Sequence, residues 1–389
     1  GRLAPFVTSF SAAAAAEVAD LSLEETWAHI ESLLAQSLLY RPVDVGDARF
    51  AMLQTLREYA AEQLEQDGDS AATLARHAGY YLGLAERCEK GPSGDRANEA
   101  ISTILPELEE IGAALRRCAT GGDRGLGLRL AADTWRAWQA AGHITEGREW
   151  LARLLDSPGP DASVRADALV ALAGLDYWQA DFPAAMEAYE EALELYRTAG
   201  DRSGEAEVLS GMAMTATWDG DPTEGARLAA EARILFESRG DRARVGETYM
   251  AEGFALFQDR EYVAARPLWE AALAISRELG ADAAAVTQLA AVACIEYQAG
   301  ATEEATRVIL DCLGQACELD NVGLCVWMLD FVAAFTVADR PAMAVRVAGA
   351  ADALRTASGG GMPIEDLHIE PARVAAGRLL DPAELGQAW

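Results

Sequence analysis

The feature that most constrains this chain is a register of 40 residues. Turn-like segments Gly200-Asp201-Arg202, Gly240-Asp241-Arg242 and Gly280-Ala281-Asp282 begin 40 residues apart, and Asp320 of Leu319-Asp320-Asn321 lies 40 beyond Gly280. A second landmark falls midway, at Ala180-Asp181, Gly220-Asp221, Arg260-Glu261, Gly300-Ala301 and Arg340-Pro341. Two landmarks in one register describe an internal repeat, the mark of stacked supersecondary units. Within each period the pattern is helix, short turn, helix. Large apolar residues recur at Leu169, Leu209, Tyr249, Leu289 and Leu329, with small ones four positions later at Ala173, Ala213, Gly253, Ala293 and Ala333. The second helix carries small residues at Ala185, Gly225, Ala265 and Ala305, and again at Ala192, Ala232, Ala272 and Cys312. A small residue opposite a large one lets two antiparallel helices approach and interlock. The segment Leu126–Leu155 fits as an earlier unit with a 38-residue offset, Gly142-His143 matching Ala180-Asp181.

This arrangement resembles tetratricopeptide repeats, whose usual unit is about 34 residues. The expected fold is all-α, a tetratricopeptide-type α-solenoid over residues 126–358. The segment before it reads differently. Ser22–Ala35 is expected to be a helix, with Ser22 as cap and Glu25 completing a capping box. Ser37–Tyr40 and Arg49–Leu53 read as two short strands around a Pro42–Asp47 turn, and Thr55–Glu65 as an amphipathic helix ended by Asp67-Gly68. Helices followed by a β-hairpin imply a small winged-helix module over 1–68, then a helical connector over 69–125. Gly91–Asp95 and Ser157–Asp161 read as loops. Gly359–Pro363 breaks the last long helix before a capping tail, 359–389.

Charge narrows the partners. With 32 basic and 62 acidic residues the net charge is −30, which repels a nucleic-acid polyanion. No run of about 18 apolar residues exists to span a membrane. Leu3–Ala19 is apolar and rich in alanine, but Thr8, Ser9 and Ser11 interrupt it and one Arg precedes it, so export is not expected. The cysteines Cys88, Cys118, Cys294, Cys312, Cys317 and Cys325 form no CxxC pair and sit in apolar helical patterns. They read as buried free thiols in a reducing cytoplasm.

Catalysis finds little footing. His29, His77, His143 and His368 are far apart and form no HxxxH or HExxH pair; there is no GxSxG and no sequence signature of an activated cysteine. Glu109-Glu110, Glu190-Glu191 and Glu303-Glu304 read as solvated helix faces. The expectation is a chain with no catalytic or metal-binding residues and no cofactor of its own.

In tetratricopeptide folds the first helix of each pair lines the concave side through a stripe at i, i+3, i+7, i+10 and i+11, which spans an arc of about 100°. Laid on this register, the stripe selects Arg129, Arg136 and Gln139; Tyr177 and Trp178; Met214 and Trp218; Met250, Phe254, Phe257 and Gln258; Tyr297 and Gln298; and Trp327. Aromatic residues on an otherwise wet face mark a ligand or partner site. Burial of the same rings as core is the competing reading. Trp135 and Trp138 read as packing residues.

Several blocks resemble the bacterial STAND signal-transduction ATPases, which include transcriptional regulators. They are Arg2–Phe6 with Ser9-Phe10, Leu33–Leu39, Arg49–Leu64, Leu128–Leu154, the Gly-Asp-Arg turns and Gly349–Arg355. In that family a nucleotide-binding domain leads into a winged helix and then a tetratricopeptide superhelix. The resemblance implies a sensor and arm that binds a small-molecule effector or a protein or peptide partner and gates an ATP/ADP switch in an upstream domain. This chain has no GxxxxGK[ST] loop, so ATP or ADP is expected only in that upstream domain, and the chain is expected to be part of a longer protein. Related switches carry Met-His-Asp at the winged helix; here Met52, Leu53 and Gln54 stand there, and leucine cannot make the histidine's hydrogen bond. The alternative is a stand-alone tetratricopeptide adaptor for protein–protein interaction.

Overall fold

The structure, a computed structural model, describes residues 1–42, 49–89, 101–156, 161–358 and 368–389. Most of the Pro42–Asp47 turn, the Gly91–Asp95 loop, residues 157–160 and the Gly359–Pro363 break lie outside the described residues. The chain divides into two compact units, Gly1–Asp201 and Arg202–Trp389, a division that falls inside the run of repeats.

The first unit opens with strand β1 (Ser9–Ser11), helices α1 (Ala12–Ala19) and α2 (Leu23–Ala35), strand β2 (Arg49–Ala51), α3 (Gln54–Gln66), α4 (Ser70–Glu89) and α5 (Leu108–Ala119). Two helical pairs follow, α6 (Arg124–Ala141) with α7 (Ile144–Leu155) and α8 (Ala162–Trp178) with α9 (Phe182–Ala199). The capping box forms as expected: the Ser22 hydroxyl accepts from Glu25 N–H, and Glu25 accepts from Ser22 N–H. The expected hairpin is corrected. β2 pairs antiparallel with β1, Phe50 opposite Phe10, while Tyr40 makes only an isolated bridge to Ala51. Ser37 turns the chain at φ 56°, which ends the expected Ser37–Tyr40 strand. Burial decides the pairing: Phe10 and Phe50 are fully buried, and Phe6 stacks on Phe10 at 4.3 Å.

The second unit is a run of helices of nearly constant length: α10 (Arg202–Trp218), α11 (Pro222–Ser238), α12 (Arg242–Gln258), α13 (Tyr262–Leu279), α14 (Asp282–Gln298), α15 (Thr302–Glu318), α16 (Val322–Thr336) and α17 (Pro341–Ser358). The short helices α18 (Ala372–Ala376) and α19 (Pro382–Ala388) pack on α16 and α17 through Ala333, Val345, Ala372, Ala376 and Ala388.

The register has a backbone cause. Gly220, Gly240, Arg260, Gly280, Gly300 and Asp320 all adopt positive φ, between 51° and 95°. After each, the next N–H reaches back five residues, as from Asp241 to Phe236 C=O and from Glu261 to Leu256 C=O. That is the Schellman closure of a helix by a left-handed residue. Asp221, Asp241 and Asn321 then accept from the third residue of the following helix, so these three turns end one helix and cap the next. Ala180 and Gly200 play the closing role in the first unit, at φ 57° and 72°.

The small positions are the constant of the packing. Every predicted one is buried, whereas Tyr249, Leu289 and Leu329 among the large ones are only half-buried. The fit is tight: a Cβ at Gly253 would lie 2.4 Å from Trp269 Nε1, and one at Gly225 would lie 2.1 Å from Thr217 Oγ1. Among the described residues no helix is long and apolar enough to cross a membrane.

Candidate functional site

In the second unit the predicted stripe falls on α10, α12, α14 and α16, and the structure brings parts of it together. Trp218 and Phe254 touch across α10 and α12, ring centroids 5.2 Å apart. Both are half-buried, as are Met214, Met250, Gln258, Tyr297, Gln298 and Trp327. Phe257 is different. It is fully buried against Trp269 at 5.3 Å, so it is core rather than lining. Tyr297 stacks on Phe335 at 4.1 Å, and Trp327 contacts Phe331 at 5.1 Å. Partial burial pushes the Tyr297 phenol upward, and nearby Glu370 adds to the shift. Three polar atoms on this face, Trp218 Nε1, Trp327 Nε1 and Gln258 Oε1, are buried with no partner among the described residues. A buried donor or acceptor left unpaired costs about 1–3 kcal/mol, so such atoms favour a ligand that supplies the missing bond.

Part of this face is already occupied by the chain itself. The segment His368–Glu370 lies against it. Gln298 Nε2 donates to the His368 carbonyl at 3.1 Å, His368 Nε2 lies 3.2 Å from the Gln258 carbonyl, and the His368 ring stacks on Phe257 at 5.9 Å. Ile369 is 2% exposed and joins the core with Phe257, Phe331 and Phe335. Sequence reasoning missed this segment, because one isoleucine among polar neighbours carries no periodic signal.

The first unit holds the remaining predicted residues. Arg129 and Arg136 are exposed, Gln139 and Tyr177 half-buried, and Trp178 is 54% exposed. The Arg136 guanidinium lies 4.5 Å over Trp135, whose ring packs on Gly174; Tyr177 meets Trp178 edge-on at 5.9 Å. Trp138 is fully buried and Trp135 half-buried, both against neighbouring helices.

Glu109-Glu110 needs correction. Glu109 is exposed, but Glu110 is fully buried, accepting from Val7 N–H at 2.8 Å, Thr8 N–H at 2.5 Å and Thr8 Oγ1 at 2.8 Å, with His77 Nε2 at 3.2 Å on its other oxygen. Arg117 Nη2 lies 2.8 Å from His77 Nδ1. A guanidinium can only donate, so Nδ1 accepts and the neutral ring donates from Nε2 to Glu110. Burial, reinforced by Arg117, holds the imidazole below its ordinary range. Beside it Arg49 makes a two-pronged ion pair with Glu107, which also accepts from the Tyr81 hydroxyl at 3.2 Å. These groups face one another across the N-terminal segment, β2, α4 and α5, and their chemistry is spent on holding those elements together. The other predicted acid pairs, Glu190-Glu191 and Glu303-Glu304, are exposed as expected.

A run of closely packed antiparallel helix pairs with a small-residue seam defines a tetratricopeptide-type helical-repeat protein. No protein-family model matches the chain. Over 253 residues, 62% of its length, it is 28% identical to proteins of Mycobacterium tuberculosis and Mycobacterium bovis provisionally named HTH-type transcriptional regulators. The match takes in 28% of those relatives' length, so the chain spans under a third of them. Among solved structures, it is similar to a STAND protein with a tetratricopeptide repeat sensor from Pyrococcus horikoshii (TM-score 0.54, 12% identity, 99% of this chain and 61% of that one). It is also similar to a Rap protein complexed with competence and sporulation factor (TM-score 0.51, 12% identity, 82% and 92%). At these identities the likeness establishes the fold.

Proposed function

We propose that this chain is the sensor and arm of a STAND-type transcriptional regulator, and that the second unit binds an extended peptide or protein segment along α10, α12 and α14. The observation that carries the reading is the seat of His368–Glu370. A surface that hydrogen-bonds the His368 carbonyl of a short non-helical segment and buries the neighbouring Ile369 side chain suits a polypeptide better than a compact metabolite. The unpaired Trp218 Nε1 and Gln258 Oε1 offer one donor and one acceptor to such a guest. The solved Rap complex with competence and sporulation factor and the mycobacterial relatives' names support the same direction.

The chain acts by binding rather than catalysis. Residues 1–68 serve as the winged-helix arm, and the protein works in the cytoplasm. Partner binding gates an ATP/ADP switch supplied by a nucleotide-binding domain upstream, which requires that the partner bind the two states with different affinity. DNA contact belongs to another part of the regulator.

The test is selection of a displayed random-peptide library on the folded protein. Selected peptides are expected to lose roughly tenfold or more in affinity to Trp218→Ala and to Phe254→Ala, each checked for wild-type helicity by circular dichroism. Peptides that bind both variants as tightly as wild type, or failure to select any peptide, overturn the reading.

A further inference from the structure

Two of the six cysteines depart from the buried thiols expected. Cys118, Cys294 and Cys312 are buried, and burial pushes their thiols upward. Cys317 is exposed and Cys325 half-buried. Cys317 sits in the last turn of α15 and Cys325 in the first turns of α16. Between them Asp320 reverses the chain at φ 51°, and the Asn321 side chain caps α16 by accepting from Leu324 N–H at 3.0 Å. This tight hairpin brings the two sulfur atoms to 3.6 Å. Among the described residues no third Cys, His, Asp or Glu joins them to complete a metal site.

We propose that Cys317 and Cys325 form a dithiol oxidation site, closed to an intramolecular disulfide by a peroxide. A disulfide needs sulfurs about 2.05 Å apart, so closure asks for an approach of roughly 1.5 Å, within reach of side-chain rotation at a helix end. The exposed Cys317 is the attacking group. Its thiolate displaces hydroxide from hydrogen peroxide and becomes a sulfenic acid, and the hydroxide takes up the thiol proton as water. Cys325 Sγ then attacks Cys317 Sγ; the S–S bond forms, the S–O bond breaks, and the Cys325 proton leaves with the departing hydroxide as a second water. Two thiols are oxidised, one peroxide is reduced, and two waters are released. Burial and the neighbouring Cys317 push the Cys325 thiol up to about 11, which makes it the less reactive of the two toward peroxide and leaves the first attack to Cys317; its place 3.6 Å away fits it to resolve the sulfenic acid. The bond would tie α15 to α16, two residues before Trp327.

The test treats the reduced chain, still folded, with hydrogen peroxide, and maps the product by peptide mass spectrometry. The expected product joins Cys317 to Cys325, is reversed by dithiothreitol, and leaves Cys118, Cys294 and Cys312 alkylatable after unfolding. In Cys325→Ser, Cys317 should accumulate as a sulfenic acid trapped by dimedone; in Cys317→Ser the bond should not form and Cys325 should oxidise at least tenfold more slowly. Two results overturn the proposal: over-oxidation of wild-type Cys317 to sulfinic acid without bond formation, or a main cross-link to any other cysteine. Cys317 and Cys325 lie in the helix ends that flank the Asp320 turn, and the melting temperatures of the two variants serve as the check on folding.

Discussion

Glu110 and Gly253 occupy comparable places, each fully covered where elements of its unit meet, yet they hold their units together by different means. Glu110 accepts from two backbone N–H groups and a hydroxyl of residues a hundred positions earlier in the chain, and meets His77 on its other side. Gly253 does its work by being absent as a side chain, leaving room for the Trp269 ring and its 3.2 Å hydrogen bond to the Met250 carbonyl. The head of the first unit is thus fixed by a few directional, long-range polar contacts. The second unit is fixed by a repeated steric rule between neighbouring helices. A network of the first kind fails sharply when one member is lost, because the others stay buried without partners. A repeated seam spreads its stability over many near-equivalent contacts.

The largest effect that separates the two should come from Glu110→Gln. The amide has one acceptor oxygen where the carboxylate has two, so it cannot satisfy Val7, Thr8 and His77 together, and weakening hydrogen bonds of this kind to a buried carboxylate costs about 1.5–3 kcal/mol. Hydrogen exchange of the Val7 and Thr8 amides should rise strongly, while amides of α12 and α13 keep wild-type protection. Equal loosening of both regions, or an unchanged Val7 and Thr8, would remove the distinction between the two architectures.

A smaller effect should follow from acid. The folded His77 ring titrates below its ordinary value of 6.5, chiefly because it is buried. The unfolded chain therefore takes up a proton that the folded one refuses. The stability contributed by the neutral ring is complete above about pH 6.5 and is lost as pH falls toward the folded-state value, by about 1.4 kcal/mol for each unit of separation. Burial sets most of that separation, Arg117 adds to it, and Glu110 and Glu107 oppose it; Tyr81 also faces the ring. Urea unfolding monitored at the first unit between pH 7 and pH 5 should show the loss. His77→Gln, which keeps a donor toward Glu110 but does not titrate there, should be less stable at pH 7 and flatter with pH. A wild-type slope in that variant would assign the acid sensitivity to other groups.

The same contrast explains what could be read in advance. Helix ends, turns and the small-residue seam follow from a local alphabet repeated every 20 residues, so Gly240-Asp241 and Gly225 announce themselves by position alone. The pairing of β2 does not: Arg49–Ala51 could pair with a nearby strand, and only the burial of Phe10 against Phe50 selects Ser9–Ser11. Glu110 looked like its exposed neighbour Glu109 because charge by itself carries no information about burial. The stripe rule placed Trp218 and Phe254 side by side, but it put Phe257 on the same face, one step too far into the core. It could not foresee His368–Glu370, since that contact joins residues 70 and 110 positions apart.

The smallest effect tests the repeat rule where the sequence breaks it. Arg260 stands at a helix-closing position with φ 63°, where the equivalent turns at 220, 240, 280 and 300 have glycine. An L side chain in that region costs roughly 1–2 kcal/mol, because its Cβ crowds the following carbonyl. Glycine relieves the crowding but gives the unfolded chain more freedom, which returns about 0.4–1 kcal/mol of the gain. Arg260 is exposed, and no hydrogen bond or ion pair among the described residues holds its side chain, so little else is lost. Arg260→Gly should therefore raise the urea midpoint of the second unit by the equivalent of up to about 1 kcal/mol, with an unchanged m-value. A lower midpoint would mean that the closing position is set by more than its backbone angle. The steric rule for this unit would then need a side-chain contribution of the kind that dominates the first.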